Sequence, residues 1–127
     1  MSDPDSNRRN AVAFYEMMFN ACEPERAIAL FAGDDYIQHN PHVATGKQGF
    51  IEYFQRMARE YPGKKVIVKR TVAEGDLVVL HCHQIWPDAV EYAGIDIFRF
   101  DAAGKIVEHW DVLQLMPESS AHSNGMF

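Results

Sequence analysis

Apolar side chains recur at spacings of three and four in the first half of the chain and shift to strand-like runs in the second. Between Asn7 and Cys22, the residues Ala11, Tyr15, Met18, Phe19 and Cys22 form one stripe, which predicts an amphipathic helix. A short second helix is expected from Pro24 to Phe31, with Pro24 in its first turn and Ala27, Ile28, Leu30 and Phe31 on its apolar side. Gly33-Asp34-Asp35 is expected to break that helix. Tyr36 to Asn40 reads as a short strand stopped by Pro41. A third helix opens at Gly46, buries Phe50, Ile51, Phe54 and Met57, and ends at Pro62-Gly63.

From Lys65 onward the period changes. Lys65 to Ala73, Asp76 to Trp86, Glu91 to Phe100 and Lys105 to Leu115 are rich in Val, Ile, Phe and Trp. Turn residues separate them: Glu74-Gly75, Pro87 to Val90, and Asp101 to Gly104. Such short connections favour antiparallel neighbours. Helices first and a meander afterwards predict an α+β domain whose helices cover one sheet face. The chain reads as one domain over residues 1–127, with a core at about 8–116 and a polar tail at 117–127.

Composition narrows the class. The 127 residues are 47% hydrophobic and 24% charged, as expected of a folded globular chain. No apolar run approaches the ~20 residues of a membrane helix, and Met1 to Asp5 has no secretory-signal character. A cytoplasmic protein with no membrane partner is expected. The net charge of −6 works against a nucleic-acid partner, which needs a basic surface. Cys22 and Cys82 are too few for a disulfide framework and read as small apolar residues. Arg8, Arg9, Lys64, Lys65, Lys69 and Arg70 read as solvated charges.

The candidate chemistry lies in polar residues inside otherwise apolar strands: His81, His83, Asp96, His109 and Asp111. Strand side chains alternate faces, so hairpin register decides which of them meet. With loop 101–104, Asp96 faces His109, and Asp111 shares that face opposite Gly94. With loop 87–90, Trp86 faces Glu91, His83 faces Gly94 and His81 faces Asp96. All five then lie on one face with Phe98, Val79 and Leu113, beneath the helices, while Trp86 and Trp110 point outward. Polar groups ringed by apolar ones describe a small-molecule pocket. Buried carboxylates there have raised pKa values, which suits acid–base work near neutral pH.

Several of these stretches resemble the SnoaL-like branch of the nuclear transport factor 2-like superfamily. They are Phe31 to Pro41, Gly46 to Phe54, Ile95-Asp96-Ile97-Phe98-Arg99-Phe100-Asp101 and Gly104 to Asp111. The resemblance implies a cone-shaped, curved antiparallel sheet wrapped around three N-terminal helices, with a pocket at the open end. It also implies a homodimer formed through the outer sheet face, where Trp86 and Trp110 would lie. SnoaL-like cyclases close a ring by an aldol reaction without metal or organic cofactor. By that likeness Asp111 is the acid–base residue, His109 its neighbour, and Asn40 a pocket residue. Ketosteroid isomerases are similar at Asp96, which would be a protonated donor to an oxyanion. Their base is replaced here by Asn40, and their tyrosine corresponds loosely to Tyr15.

The expected activity is therefore cofactor-independent chemistry alpha to a carbonyl, on a small hydrophobic or polyketide-like substrate. Asp111, His109 and Asp96 are its candidate catalytic residues. Asn40, Gln38, His81, His83, Tyr15, Phe54 and Phe98 are its candidate substrate contacts. Gln38 and Asn40 share parity, and the resemblance places them inward, so His39 faces away; His42 falls on a solvated loop. Three other readings compete. One is a non-catalytic module binding a small ligand. Another is a metal site built from His81-Cys82-His83 with His109 and Asp96 or Asp111. The last is an epoxide-hydrolase-like Asp–Arg–Asp set, for which Arg99 has the wrong parity to join Asp96.

Overall fold

The computed structural model describes residues 2–127. Helix α1 spans Pro4–Tyr15 and starts on Asp3, whose carboxylate accepts from the Ser6 amide at 3.0 Å, with proline following as the first helical residue. At Tyr15 the α-helix passes into one widened π-helical turn, Glu16–Asn20, rather than continuing unbroken to Cys22 as expected. The extra residue in that turn lets the adjacent Met18 and Phe19 both enter the core. Helix α2 (Pro24–Phe31) has the predicted bounds.

The helix ends at Phe31 as expected, but strand β1 (Ala32–Gln38) begins directly after it, so Gly33-Asp34-Asp35 lies within a strand expected only from Tyr36 to Asn40. Gly33 instead permits a close approach, since a Cβ there would lie 2.8 Å from Val107 Cγ1. Helix α3 (Lys47–Glu60) follows Gly46, whose φ of 93° disfavours any residue with a Cβ. Strands β2 (Lys65–Glu74), β3 (Leu77–Ile85), β4 (Glu91–Phe100) and β5 (Ile106–Leu115) match the predicted runs to within about a residue.

The five strands form one curved sheet in the order β1-β5-β4-β3-β2. Four of them make the antiparallel meander, but β1 runs parallel to β5, so the sheet is mixed rather than wholly antiparallel. The long excursion from β1 through α3 and three strands to β5 removes the hairpin constraint that forces antiparallel pairing. The helices cover one face, where Phe14, Phe19, Phe50, Leu80, Phe98 and Phe100 form the centre of the core.

Register decides the rest. The β3–β4 hairpin pairs Ile85 with Glu91, so the connection holds five residues, 86–90, and not four. Asp88 at φ 60° and a Trp86 N–H to Val90 C=O bond of 2.9 Å close it. Every β3 side chain consequently changes face relative to the expectation. Leu80, Cys82 and Gln84 point inward, while Val79, His81 and His83 point to the outer face. The β4–β5 connection likewise holds five residues, 101–105, and a bulge between Arg99 and Phe100 adds one more, so the register moves by two residues. Asp96 therefore faces Asp111, and Phe98 faces His109. A shift of two preserves parity, so the inward set on β4 and β5 is the expected one.

Two polar side chains fasten the end of the first helix to the sheet. Asn20 donates from Nδ2 to the Val66 carbonyl at 3.0 Å and accepts from the Val66 amide at 2.7 Å. It thus pairs both backbone groups that edge strand β2 would otherwise leave open. Lys64, expected to be solvated, is buried; its ammonium donates to the Phe19 carbonyl and lies 4.0 Å from the Phe19 ring centre. Burial pushes its pKa down. Removing the two Asn20 bonds with Asn20→Ala is expected to destabilise the protein by about 2 kcal/mol, at roughly 1 kcal/mol for each bond. Urea unfolding of the two proteins measures this; an unchanged midpoint would show that Asn20 does not anchor the edge.

Candidate active site

The inward residues of β1, β4 and β5 converge with Tyr15, at the end of α1, on a small cavity. Its volume is about 50 Å³, and Gln38, Asn40, Asp96, His109 and Asp111 form its polar side. Phe14, Phe50, Phe54 and Phe98 form its apolar side. Eight of the expected site residues are thus brought together: Asp96, His109, Asp111, Asn40, Gln38, Tyr15, Phe54 and Phe98. Gly94 makes room for them, since a Cβ there would meet Leu113 Cδ2 at 2.8 Å.

Hydrogen-bond accounting locates the protons. Gln38 Oε1 accepts from the amides of His39 (3.1 Å) and Asn40 (3.0 Å), so that atom is the oxygen. It lies 2.7 Å from His109 Nδ1, which must therefore carry a proton. His109 Nε2 lies 2.9 Å from Asp96 Oδ1, and that bond holds one proton. Asp96 is 1% exposed. Its burial raises its pKa; the His109 bond opposes the rise and the neighbouring Asp111 adds to it. Burial favours the uncharged carboxyl, which draws the shared proton toward Asp96. Among the described residues, no group donates to Asp96 Oδ2, which is buried.

Asp111 is held differently. Asn40 Nδ2 donates to both of its oxygens, at 3.0 and 2.9 Å. The orientation of that amide is set by its own Oδ1, which accepts from the His42 amide at 2.8 Å. Asp111 is only half-buried, so the two carboxyl groups sit in contrasting surroundings.

Gln84 is the site residue that sequence reasoning missed. The Trp86 indole Nε1, which can only donate, donates to Gln84 Oε1 at 3.0 Å. Gln84 Nε2 then donates to the Tyr15 hydroxyl oxygen at 2.6 Å. The Tyr15 proton is thereby turned toward Asp96, whose pKa rise it opposes, and can pass to an acceptor that enters the cavity. Burial, followed by the Asp96 charge, pushes the Tyr15 pKa well up, so it remains a donor. A signal for Gln84 did exist: Val78, Leu80 and Cys82 are an apolar alternation of its own parity.

His81 and His83 are not part of this site, because the five-residue hairpin turns them to the outer face. There His81 Nδ1 meets Arg70, His83 Nε2 lies 2.7 Å from Glu91 Oε1, and both rings pack against Phe127. The metal set read from His81-Cys82-His83 is therefore split between two faces. Asp96, His109 and Asp111 still place one ligand atom each within 4.8 Å of one another. An ion there would have to displace the Asp96–His109 bond and compete with Asn40 for Asp111.

Of the two tryptophans expected outside, Trp110 is there, stacked on His39 at 5.0 Å and 5°. Trp86 instead packs inward against Phe19. His39 also contacts Glu108 at 2.7 Å, and Arg99 donates to the same carboxylate at 2.8 Å. The His39 bond is the main cause of the lowered Glu108 pKa. Arg99 is thus committed to the outer face, and His109 occupies the space between Asp96 and Asp111 where an Asp–Arg–Asp set would need arginine. His42 is exposed on its loop, as expected.

Comparison with solved structures supports the same architecture. TsrD from Streptomyces laurentii superposes with a TM-score of 0.74 at 22% identity, over 89% of this chain and 91% of that one. A candidate polyketide cyclase from Acidithiobacillus ferrooxidans gives 0.74 at 17% identity, over 89% and 91%. A candidate ketosteroid isomerase from Kribbella flavida gives 0.71 at 19% identity, over 98% and 87%. At these identities the likeness establishes the fold. No curated protein sequence matches the chain. The family model for the SnoaL-like domain matches residues 11–109, most of the chain, and the protein belongs to that family.

Proposed function

We propose that the cavity binds a small ketone and moves a proton to and from the carbon beside its carbonyl group, as aldol-type cyclisation or isomerisation requires. The observation that carries this reading is the contrast between two neighbouring carboxyl groups. Asp96 is fully buried and shares a proton with His109, while Asp111 is half-buried and receives two bonds from one amide. Neighbouring carboxyl groups in contrasting surroundings take different roles.

The separation suits the task. Their ligand atoms lie within 4.8 Å of each other. A ketone can then place its α-carbon about 3 Å from Asp111 and its oxygen about 3 Å from the Tyr15 hydroxyl. Asp111 takes the α-proton. The C–H electron pair becomes the enolate double bond, and the carbonyl pair moves onto oxygen. Tyr15 stabilises that oxygen by hydrogen bonding in a cavity with apolar walls, while the Asp96 proton stays in its bond with His109 and keeps the pair neutral beside the enolate. In an isomerisation, Asp111 returns the proton to another carbon. In an aldol reaction, the enolate carbon attacks a second carbonyl, and the new alkoxide takes the proton held by Asp111. Gln38 and His109 are positioning residues: Gln38 sets the tautomer of His109, and His109 orients the Asp96 proton. Asn40 holds Asp111 in place.

Solvent deuterium uptake into 2,4-pentanedione and β-keto esters, followed by NMR, tests the reading. Asp111→Asn is expected to slow uptake by about 10²–10⁴-fold, the usual contribution of a general base. Equal uptake by wild type and Asp111→Asn would remove Asp111 from the mechanism. Absence of uptake alongside retained binding would leave a ligand-binding module.

Asp96 gives a pH signature. Its folded pKa is raised, so its contribution to stability is complete below the ordinary carboxylate value and is lost as pH rises through the folded value. Activity is expected to fall over the same upper range, as ionised Asp96 puts a negative charge beside the developing enolate. Asp96→Asn keeps a donor toward His109 Nε2 without a titrating proton. It should abolish that high-pH limb in both the rate and the melting-temperature profiles. A limb that persists in Asp96→Asn would assign it to another group.

A further inference from the structure

The cavity floor does not end the site. Beyond Tyr53, Trp86 and Leu113, which line both spaces, an outer chamber of about 180 Å³ opens toward solvent. Tyr61, Tyr92 and Met57 complete much of its wall. Among the described residues, no lysine, arginine or carboxylate lines it. We infer that this outer chamber is a seat for a single planar aromatic ring, so that the substrate is an uncharged aryl ketone with one ring joined to its carbonyl directly or through one or two carbons. The inference rests on the acid–base reading of the floor for the placement of the ketone, and on the chamber itself for the ring.

Volume sets the size. An apolar cavity of about 150 Å³ accepts benzene. A chamber of about 180 Å³ therefore encloses one six-membered ring with a small substituent, and further fused rings would project from its open side into solvent. The inner cavity, at about 50 Å³, has room for only about three to five waters, or a carbonyl with its neighbouring carbons. A fused polyketide or a steroid would extend beyond both and leave most of its rings outside the aromatic walls.

Wall chemistry sets the shape. Tyr53, Tyr61, Trp86 and Tyr92 offer flat faces and edges, and aromatic pairs gain beyond simple area burial. Trp86 is the fixed member. Its indole is tied to Gln84 Oε1 at 3.0 Å and meets the rings of Phe19 and Tyr61 edge-on, each at 5.2 Å. It cannot swing away to admit a thicker ring without giving up all three contacts. The same Gln84 bonds Tyr15, so the wall that seats the ring and the donor that meets the ketone oxygen are held by one amide.

The test measures binding separately from chemistry. Wild-type protein is titrated with 2,4-pentanedione, benzoylacetone, its cyclohexyl analogue and 2-naphthoylacetone. The Trp86 indole N–H is followed by NMR and assigned with Trp110→Phe. Benzoylacetone is expected to bind roughly tenfold or more tightly than pentanedione, through the apolar area of its ring. It should also bind more tightly than the cyclohexyl and naphthyl compounds. Val90→Trp, which fills the chamber from its rim, is expected to bring benzoylacetone down to the affinity of pentanedione. Naphthyl or cyclohexyl binding as tight as benzoylacetone, or benzoylacetone binding unaffected by Val90→Trp, would overturn the inference. Deuterium uptake into pentanedione reports the floor independently. Ring selectivity without uptake sinks the acid–base reading and leaves the ring seat, whereas uptake without ring selectivity does the reverse.

Discussion

One buried carboxyl group organises the concave face of this sheet. Asp96 sits beneath three helices with almost no contact with water. A bare charge there would be costly, so the group must be neutral or closely paired. The surroundings meet that demand through a chain of fixed bonds. The amides at the end of β1 orient Gln38, Gln38 sets the tautomer of His109, and His109 shares a proton with Asp96. The parallel pairing of β1 with β5 brings the first link within reach of the last.

The same constraint explains why the site is both structural and reactive. A group that must keep its proton because it is buried is also a donor that water cannot easily replace. Asp111, its cross-strand partner, escapes the constraint by lying nearer the mouth under the Asn40 amide. Two identical side chains thereby meet different surroundings through a difference in burial. The cavity is also graded from polar floor to aromatic rim, which matches a ligand with a polar end and a flat apolar end.

The outer face carries a separate set of interactions. His39, Trp110, Glu108 and Arg99 form a stacked and ion-paired cluster on the side of the sheet away from the cavity. His81 and His83 lie on that side too, against Phe127. These histidines looked like site residues only while their parity was unsettled. Their partners on the outer face account for them without any role in the cavity.

The amino-acid pattern by itself determined the elements and their class. Three- and four-residue spacing marked the helices, β-branched and aromatic runs marked the strands, and Asp96, His109 and Asp111 on two neighbouring strands had one parity under a hairpin of even loop length. The longer β4–β5 loop and its bulge together moved that pairing by two residues and left the parity unchanged, so those three residues were legible, and Gln38 and Asn40 were legible through the family likeness. Tertiary structure alone decided β3. One additional residue in the β3–β4 turn sent His81 and His83 outward and brought Gln84 and Trp86 inward. Alternation has a period of two, so an error of one residue exchanges the faces while an error of two does not. The loop length that distinguishes these cases is set by how the turn closes from Trp86 onto Val90 while Trp86 packs against Phe19, a contact between distant segments that no local pattern contains.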